Sequence, residues 1–371
     1  MPERVLVTGG AGFIGSHLVD ALVNKGHRVR ILDNLEPQVH VKPPAYLNKN
    51  AEFIKGDIRV ISDIKKALKN IDVLYHFAAM VGVGQSMYQI RRYTEVNTYG
   101  TAKLLETIIS GHYNISKLIV ASSMSIYGEG AYSCRGCGMV YPKLRSEEQL
   151  KAARWEVECA DCDHSVHPVA TREDKPLYPT SIYAIGKRDQ EEMFHAVGHA
   201  YNLPTVALRF FNTYGTRQSL SNPYTGICAI FLSRIKNNRP PLIFEDGRQL
   251  RDFVSVHDIV QACLLGMEKK AADYHTFNVG SGKSISINEV AKLLVNLVGK
   301  KIVPQITGKF RAGDIRHCYA DISLIKDKLG YKPKISMENG MTELITWGEK
   351  AYALDKFSQA EHELQQKHLL I

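Results

Sequence analysis

Val5-Leu6-Val7-Thr8-Gly9-Gly10-Ala11-Gly12-Phe13-Ile14-Gly15 joins an apolar, β-branched run to a helix-period segment, with Gly9, Gly12 and Gly15 spaced three apart between them. A strand that turns directly into a helix needs each glycine for its own reason. Gly9 permits the tight turn, Gly12 lets the main chain approach a pyrophosphate, and Gly15 lets helix and strand pack closely. The helix start at Phe13 and Ile14 offers free N–H groups and the positive end of a dipole to an anion. Asp33 ends the next predicted strand, 18 residues after Gly15. A carboxylate there accepts hydrogen bonds from ribose hydroxyls and repels a 2′-phosphate, which favours NAD over NADP. The competing reading is a structural βα turn in which Asp33 caps a helix.

Outward from this unit, short β-branched runs alternate with helix-period segments, the pattern of a parallel sheet covered by helices. Strands are predicted at Arg4 to Thr8, Arg28 to Asp33, Ala51 to Gly56, Val73 to Phe77 and Lys117 to Ser122. The rhythm breaks at 129–170 and resumes with a helix from Ser181 to Ala200 and a strand from Thr205 to Phe211. Arg251 to Ser255 and Thr276 to Val279 read as strands, and Ile287 to Val298 as a helix. The expected fold is α/β: a Rossmann-type doubly wound parallel sheet, a smaller α/β substrate-binding lobe and a zinc-ribbon-like insertion. Residues 1–222 form the NAD-binding domain, interrupted by the insertion at 129–170. Residues 223–352 form mainly the lobe, with some segments returning to the first domain, and 353–371 a polar tail or frayed helix.

The 371 residues are 44% hydrophobic and 23% charged, which suits a globular core and excludes disorder as the default. The net charge of +9 is spread among acids, so no nucleic-acid partner is expected, while a basic balance suits an anionic substrate. No apolar run reaches the roughly 18 to 20 residues of a membrane span. Met1-Pro2-Glu3-Arg4 runs straight into the first strand, leaving no room for a signal segment, and a cytoplasmic location is expected.

Tyr183-Ala184-Ile185-Gly186-Lys187 puts a phenol and an ammonium on one helix face. A free tyrosine, with a pKa of about 10, is a poor base at neutral pH. Lys187 and a positive nicotinamide together would lower it by about three units, worth roughly 4 kcal/mol.

With Gly56-Asp57-Ile58, His76-Phe77-Ala78-Ala79, Asn97 to Thr101, Ser122 to Gly128 and Arg209 to Gly215, nearly the whole chain resembles the extended short-chain dehydrogenases/reductases that act as NAD-dependent nucleotide-sugar epimerases and dehydratases. The resemblance implies catalysis by Ser123, Tyr183 and Lys187. It implies cofactor contacts from Gly9, Gly12, Phe13, Ile14, Gly15, Asp33, Asn34, Asp57, Ile58, Phe77, Ala78, Ala79, Asn97, Tyr183 and Lys187, with Asp57 at the adenine. Ser123, Met124, Ser125, Asn212, Arg251, Arg311 and Asp314 would meet a nucleotide-diphosphate-sugar, the two arginines through phosphate-matching guanidinium forks. Homodimers packed through two helices per subunit are usual in such enzymes.

Dehydratases of this kind carry an Asp-Glu pair after the Ser/Thr, and decarboxylases a Glu at the second of those positions. Here these positions are Met124 and Ser125. The simplest fate of an oxidised sugar is then rotation and return of the hydride, which is 4-epimerisation. Segments 33–40, 81–88, 122–130 and 311–321 most resemble dTDP-L-rhamnose 4-epimerases, which make dTDP-6-deoxy-L-talose. UDP-glucose 4-epimerase is the alternative, followed by a 4,6-dehydratase and a non-catalytic dinucleotide- or nucleic-acid-binding protein. Met124 and Val83 would face a sugar methyl group.

Cys134-Arg135-Gly136-Cys137 and Cys159-Ala160-Asp161-Cys162 are two CxxC knuckles separated by 21 residues. In a cytosolic chain the spacing predicts a closed, structural Zn site held by Cys134, Cys137, Cys159 and Cys162. Redox disulfides or metal-free thiols are the alternatives, and His164 and His167 lie close enough to compete as ligands. The insertion is expected as a flap that shapes the sugar pocket or a subunit contact.

Overall fold

The β-branched runs form one sheet in a computed structural model that describes residues 2–40, 42–111, 113–162, 164–224 and 226–371. Its strands are β1 (Arg4–Thr8), β2 (Arg28–Asp33), β3 (Glu52–Lys55), β4 (Val73–His76), β5 (Lys117–Ser123), β6 (Thr205–Phe210) and β7 (His275–Val279). They pair in parallel throughout, in the order β7-β6-β5-β4-β1-β2-β3. The order reverses between β1 and β4, so their two outgoing loops diverge and leave a crevice at the sheet's carboxyl edge.

Alternation along each strand divides the core. Val5 and Val7 pack with Leu18 and Leu22 of α1 (Phe13–Asn24) and with Ile259 in the helix Val256–Glu268 on one face. Leu6 joins Ile64, Leu104 and Phe194 on the other, beneath the helices Ile61–Leu68, Thr101–Ser110 and Ile182–Ala200. Such two-sided cover is what a parallel sheet requires. A third cluster, in which Phe231, Leu294 and Leu344 meet, unites helices Ile227–Lys236, Ile287–Val298 and Met337–Lys350 as a smaller lobe.

The structure differs from the sequence reading in two elements. The strand expected from Arg251 to Ser255 divides into Leu250–Arg251 and Phe253–Ser255. Asp252 lies between them, fully buried, and its carboxylate accepts from Ser281 N (2.7 Å), Ser281 Oγ (2.6 Å) and Gly282 N (2.9 Å). The chain end is not a frayed tail. Helix Phe357–Gln366 buries Ala360 and Leu364, and Phe310 and Ile371 exchange main-chain hydrogen bonds of 2.9 and 3.0 Å. Residues after β5 form an antiparallel sheet in which Ala131–Cys134 lies between Gly138–Val140 and Val166–Val169. No helix among the described residues is long and apolar enough to cross a membrane.

One charged tie crosses the second face. Arg209 of β6 gives Nη2 to Glu191 (2.5 Å) and Nη1 to Tyr127 Oη (2.7 Å), and both members of its ion pair are buried. Arg209→Met strands the Glu191 carboxylate and is expected to lower stability by about 3–5 kcal/mol. A urea midpoint equal to that of the parent would show that Glu191 finds another partner.

Candidate active site

A cleft of about 620 Å³ opens at the carboxyl edge of the sheet, between the sheet loops and the smaller lobe. Its floor begins at the glycine turn. Gly9 has φ +71°, and a β-carbon there would lie 2.7 Å from Ala78 N. One on Gly15 would lie 2.3 Å from Gly9 O, whereas one on Gly12 meets only Gly9 O, at 3.3 Å. The crowded positions seat the helix, and the open one faces the cleft with Phe13 and Ile14. No side chain caps the start of α1, so its first N–H groups are left for a ligand.

Asp33 sits at the next rim position and accepts from Ala11 N (3.0 Å) and Leu35 N (2.8 Å). Burial pushes its carboxyl up, and these two N–H groups pull it back. Asn34 Nδ2 donates to Asp57 Oδ2 at 3.0 Å, which ties the ends of β2 and β3 together. Burial raises the Asp57 carboxyl too, but Arg59, with an N–O distance of 2.7 Å, outweighs it and holds it down to about 2. Ile58, Phe77, Ala78 and Ala79 line the same half of the cleft.

Asn97, expected at the cofactor, is not among the residues that line the cleft. It is fully buried behind the cleft in a π-helical stretch, Thr94–Gly100, where its amide accepts from Met80 N (2.8 Å) and donates to Met80 O (3.0 Å). It fixes the loop after β4 because the carboxamide matches a lone peptide group.

Ser123, Tyr183 and Lys187 converge across the cleft from the glycine turn. Ser181 caps the helix Ile182–Ala200, its Oγ accepting from Ala184 N at 3.1 Å. Ser123 Oγ accepts from Ser125 Oγ at 2.9 Å and Ser125 N at 3.2 Å. Burial raises the Tyr183 phenol, and the Ser123 hydroxyl offsets part of this. Lys187 Nζ donates to Ala121 O (2.8 Å) and Gln190 Oε1 (2.9 Å), and burial pushes its ammonium down to about 7. With the cleft empty, the Tyr183 phenol therefore lies above its ordinary value rather than below it.

In the other half of the cleft stand Met124, Ser125, Asn212, Arg251, Arg311 and Asp314. Arg251 Nη2 donates to Ile315 O at 2.7 Å, and Arg311 Nε to Asp314 Oδ2 at 2.8 Å. Ser122 and Asn212 are cleft residues whose Oγ and Oδ1 atoms are buried at its wall without a hydrogen-bond partner among the described residues. With the uncapped helix start, these unpaired atoms fit a polar ligand that spans the cleft.

Two family models match the chain: the NAD dependent epimerase/dehydratase family over residues 5–148 and GDP-mannose 4,6 dehydratase over 165–344. A dTDP-L-rhamnose 4-epimerase of Burkholderia thailandensis is 35% identical over 93% of this chain and 94% of its own. The chain belongs to the NAD-dependent epimerase/dehydratase family. Among solved structures, a Thermotoga maritima UDP-glucose 4-epimerase with UDP-glucose is 31% identical, with a TM-score of 0.76 over 94% of this chain and 99% of that one. A Thermus thermophilus UDP-glucose 4-epimerase in complex with NAD is 28% identical, with a TM-score of 0.73 over 94% and 100%.

Within this family frame the sequence reading missed one wall. Phe357, Ala360 and Leu364 line the cleft from the terminal helix, and Leu364 lies against Gly84. Glu363 ties that helix down by accepting from Tyr88 Oη (2.8 Å) and Tyr224 Oη. The spacing i, i+3, i+7 of the three apolar residues was the available signal.

The four cysteines also come together. Their Sγ atoms lie within 4.8 Å of one another. N–H groups of Cys137 and Gly136 bond to Cys134, pulling its thiol down to about 6. Such a donor set suits a metal that takes four thiolates. Of the two roles expected for the insertion, the shaping of the pocket needs correction: among the described residues none from 129 to 170 lines the cleft.

A folded state that protonates Lys187 only below about 7, against the ordinary 10.5, binds fewer protons than the unfolded chain between those values. Stability from this group therefore rises with pH across that window and is lowest below it. Lys187→Met is expected to remove the rise, worth at most about 5 kcal/mol, in urea midpoints measured from pH 6 to 10. Parallel pH profiles for parent and variant would count against it.

Proposed function

We propose that the chain is an NAD-dependent nucleotide-sugar 4-epimerase that converts dTDP-L-rhamnose to dTDP-6-deoxy-L-talose. The observation that carries the reaction type is the run Ser123-Met124-Ser125 beside Tyr183: the two positions after Ser123 hold a thioether and a hydroxyl rather than an acid/base pair. Elimination of water from a 4-keto sugar needs such a pair, and epimerisation does not.

The glycine turn would hold the cofactor's pyrophosphate, with Asp33 on the adenosine ribose and Asp57 at the adenine. Bound there, NAD supplies a hydride acceptor at C4 that returns the same hydride. Tyr183 takes the proton of the C4 hydroxyl and gives it back, Ser123 holds that oxygen in place, and Lys187 adds positive charge beside the phenolate. Arg251 and Arg311 bind the diphosphate, helped by Asp314 and Asn212. Rotation of the keto sugar between the two transfers inverts C4 with no net redox change.

The relative from Burkholderia thailandensis supports the dTDP-L-rhamnose reading, as do Met124 and Val83 in the cleft wall, which suit a methyl group better than a hydroxymethyl. The Thermotoga maritima structure favours UDP-glucose as the second reading. The cysteine cluster holds one structural Zn. Two copies pair through residues 90–110 and the helix Ile182–Ala200, where Tyr99 and Ile185 are exposed.

Protein incubated without added NAD is expected to convert dTDP-L-rhamnose to its C4 epimer by proton NMR, and Tyr183→Phe to lose about 10²–10⁴-fold in rate. Turnover of UDP-glucose alone would replace the substrate, and elimination of water would replace the reaction. Metal analysis is expected to give one Zn per chain. Less than half an equivalent in chelator-free preparations would contradict the zinc site, since such sites bind tightly.

A further inference from the structure

No residue of the insertion that bears the cysteines lines the cleft among the described residues, and a set of charges, buried at Arg145, Glu245 and Arg316 and solvent-exposed at Glu156, joins it to the segments that do. Arg145 forks onto Glu245, Nη1 to Oε2 at 3.0 Å and Nη2 to Oε1 at 2.9 Å, with both side chains 2% exposed. Arg316, with its side chain 0% exposed, reaches the same Glu245 (2.9 Å), then Asp246 (2.6 Å) and Glu156 of the insertion (2.5 Å). Glu129 closes the set by accepting the main-chain N–H groups of Arg316 and His317, each at 2.7 Å.

These partners are the main-chain neighbours of the arginines at the cleft. Arg251 is oriented by the carbonyls of Arg316 (2.8 Å) and Ile315 (2.7 Å). Its neighbour Leu250 donates its N–H to His317 Nδ1 at 3.0 Å, and His317 Nε2 meets Glu156 Oε2 at 3.0 Å. Arg145 Nη2 also donates to the carbonyl of Asp314, the residue that holds Arg311. Glu245 itself lines the cleft. Each cleft arginine is thus one or two hydrogen bonds from a side chain of the insertion or its root.

We propose that the insertion is a positioning element for the phosphate half of the site, acting through Arg145 and Glu156 on Glu245, Arg316 and His317 and so on Arg251 and Arg311. The proposal rests on the reading above that Arg251 and Arg311 bind the diphosphate. A buried ion pair is a poor source of net stability, but its geometry is narrow and losing one partner is costly. Guanidinium groups that must match phosphate oxygens need that kind of fixed placement, because a small displacement costs much of the binding. The cofactor half shares none of these contacts, so the effect is confined to one end of the cleft.

The test uses full-length protein loaded with NAD and measures dTDP and UDP binding by calorimetry, with NAD affinity measured separately. Arg145→Met is expected to weaken the nucleoside diphosphate that binds by tenfold or more, to raise KM more than it lowers kcat, and to leave NAD affinity within twofold. Arg145→Lys, which keeps the charge without the fork, should lose less, about threefold, and it carries the test alone if Arg145→Met does not fold. Arg251→Met and Arg311→Met are the controls. If they weaken binding and the Arg145 variants do not, the insertion is not a positioning element and the functional reading stands. If neither control weakens binding, the phosphate assignment fails and the proposal falls with it. Equal losses of NAD and diphosphate affinity in both Arg145 variants would mean a general loss of structure and would also overturn it.

Discussion

Gly9 O and Gly15 touch so closely that no side chain fits between them, and the cleft is built around that contact. A β-carbon on Gly15 would stand 2.3 Å from the oxygen, so α1 begins within a few residues of the end of β1. Its open end therefore points at the crevice instead of being carried past it by a longer loop. The neighbouring strands are then referred to this turn. Ala78, after β4, packs on Gly9, and Asp33, at the end of β2, accepts from Ala11 N. Loosening the contact would move the uncapped helix start, the Asp33 carboxylate and the β4 loop together.

How much of this the sequence discloses depends on the range of the forces involved. Strand positions are local: alternation sends Val5 and Val7 to one face and Leu6 to the other, and a period of two can be read from a few letters. The glycine turn and the Tyr183–Lys187 pair are local as well. Asp252 could not be foreseen to split a strand, because its partners at Ser281 and Gly282 lie about thirty positions further on. Asn97 is expected at the cofactor from the family resemblance of its motif, and the sequence gives no sign that its amide pairs with the Met80 main chain. The docking of the terminal helix was hidden by its polar composition, although Phe357, Ala360 and Leu364 share one face and that face reaches the cleft.

Burial acts on Tyr183 and Lys187 in a way that spacing does not reveal. Two residues four apart on a helix suggest an ammonium that steadies a phenolate, and the helix does bring both to the cleft. The same low-polarity surroundings that would strengthen their interaction also penalise each charge separately. Tyr183 is pushed up and Lys187 down, so each is driven toward its neutral form. In the empty cleft burial therefore works against a Tyr183 phenolate, and the spacing on the helix does not by itself offset it.

Docking of the insertion shows the same rule on a larger scale. Its own apolar cluster is small, with Tyr132, Val157 and Val166 packed around Cys134 and Cys159. An apolar seam could also have joined it to the lobe, since replacing buried ion pairs by hydrophobic residues is often neutral or stabilising. An apolar seam, however, tolerates sliding, because dispersion forces have little directionality. The forked contacts of Arg145 and Arg316 hold few arrangements, and their partners Glu245, Asp246 and Glu156 come from two chain segments far apart in sequence. Charge was placed where register matters, behind the arginines of the cleft, and hydrophobic burial where bulk stability suffices, beneath the sheet.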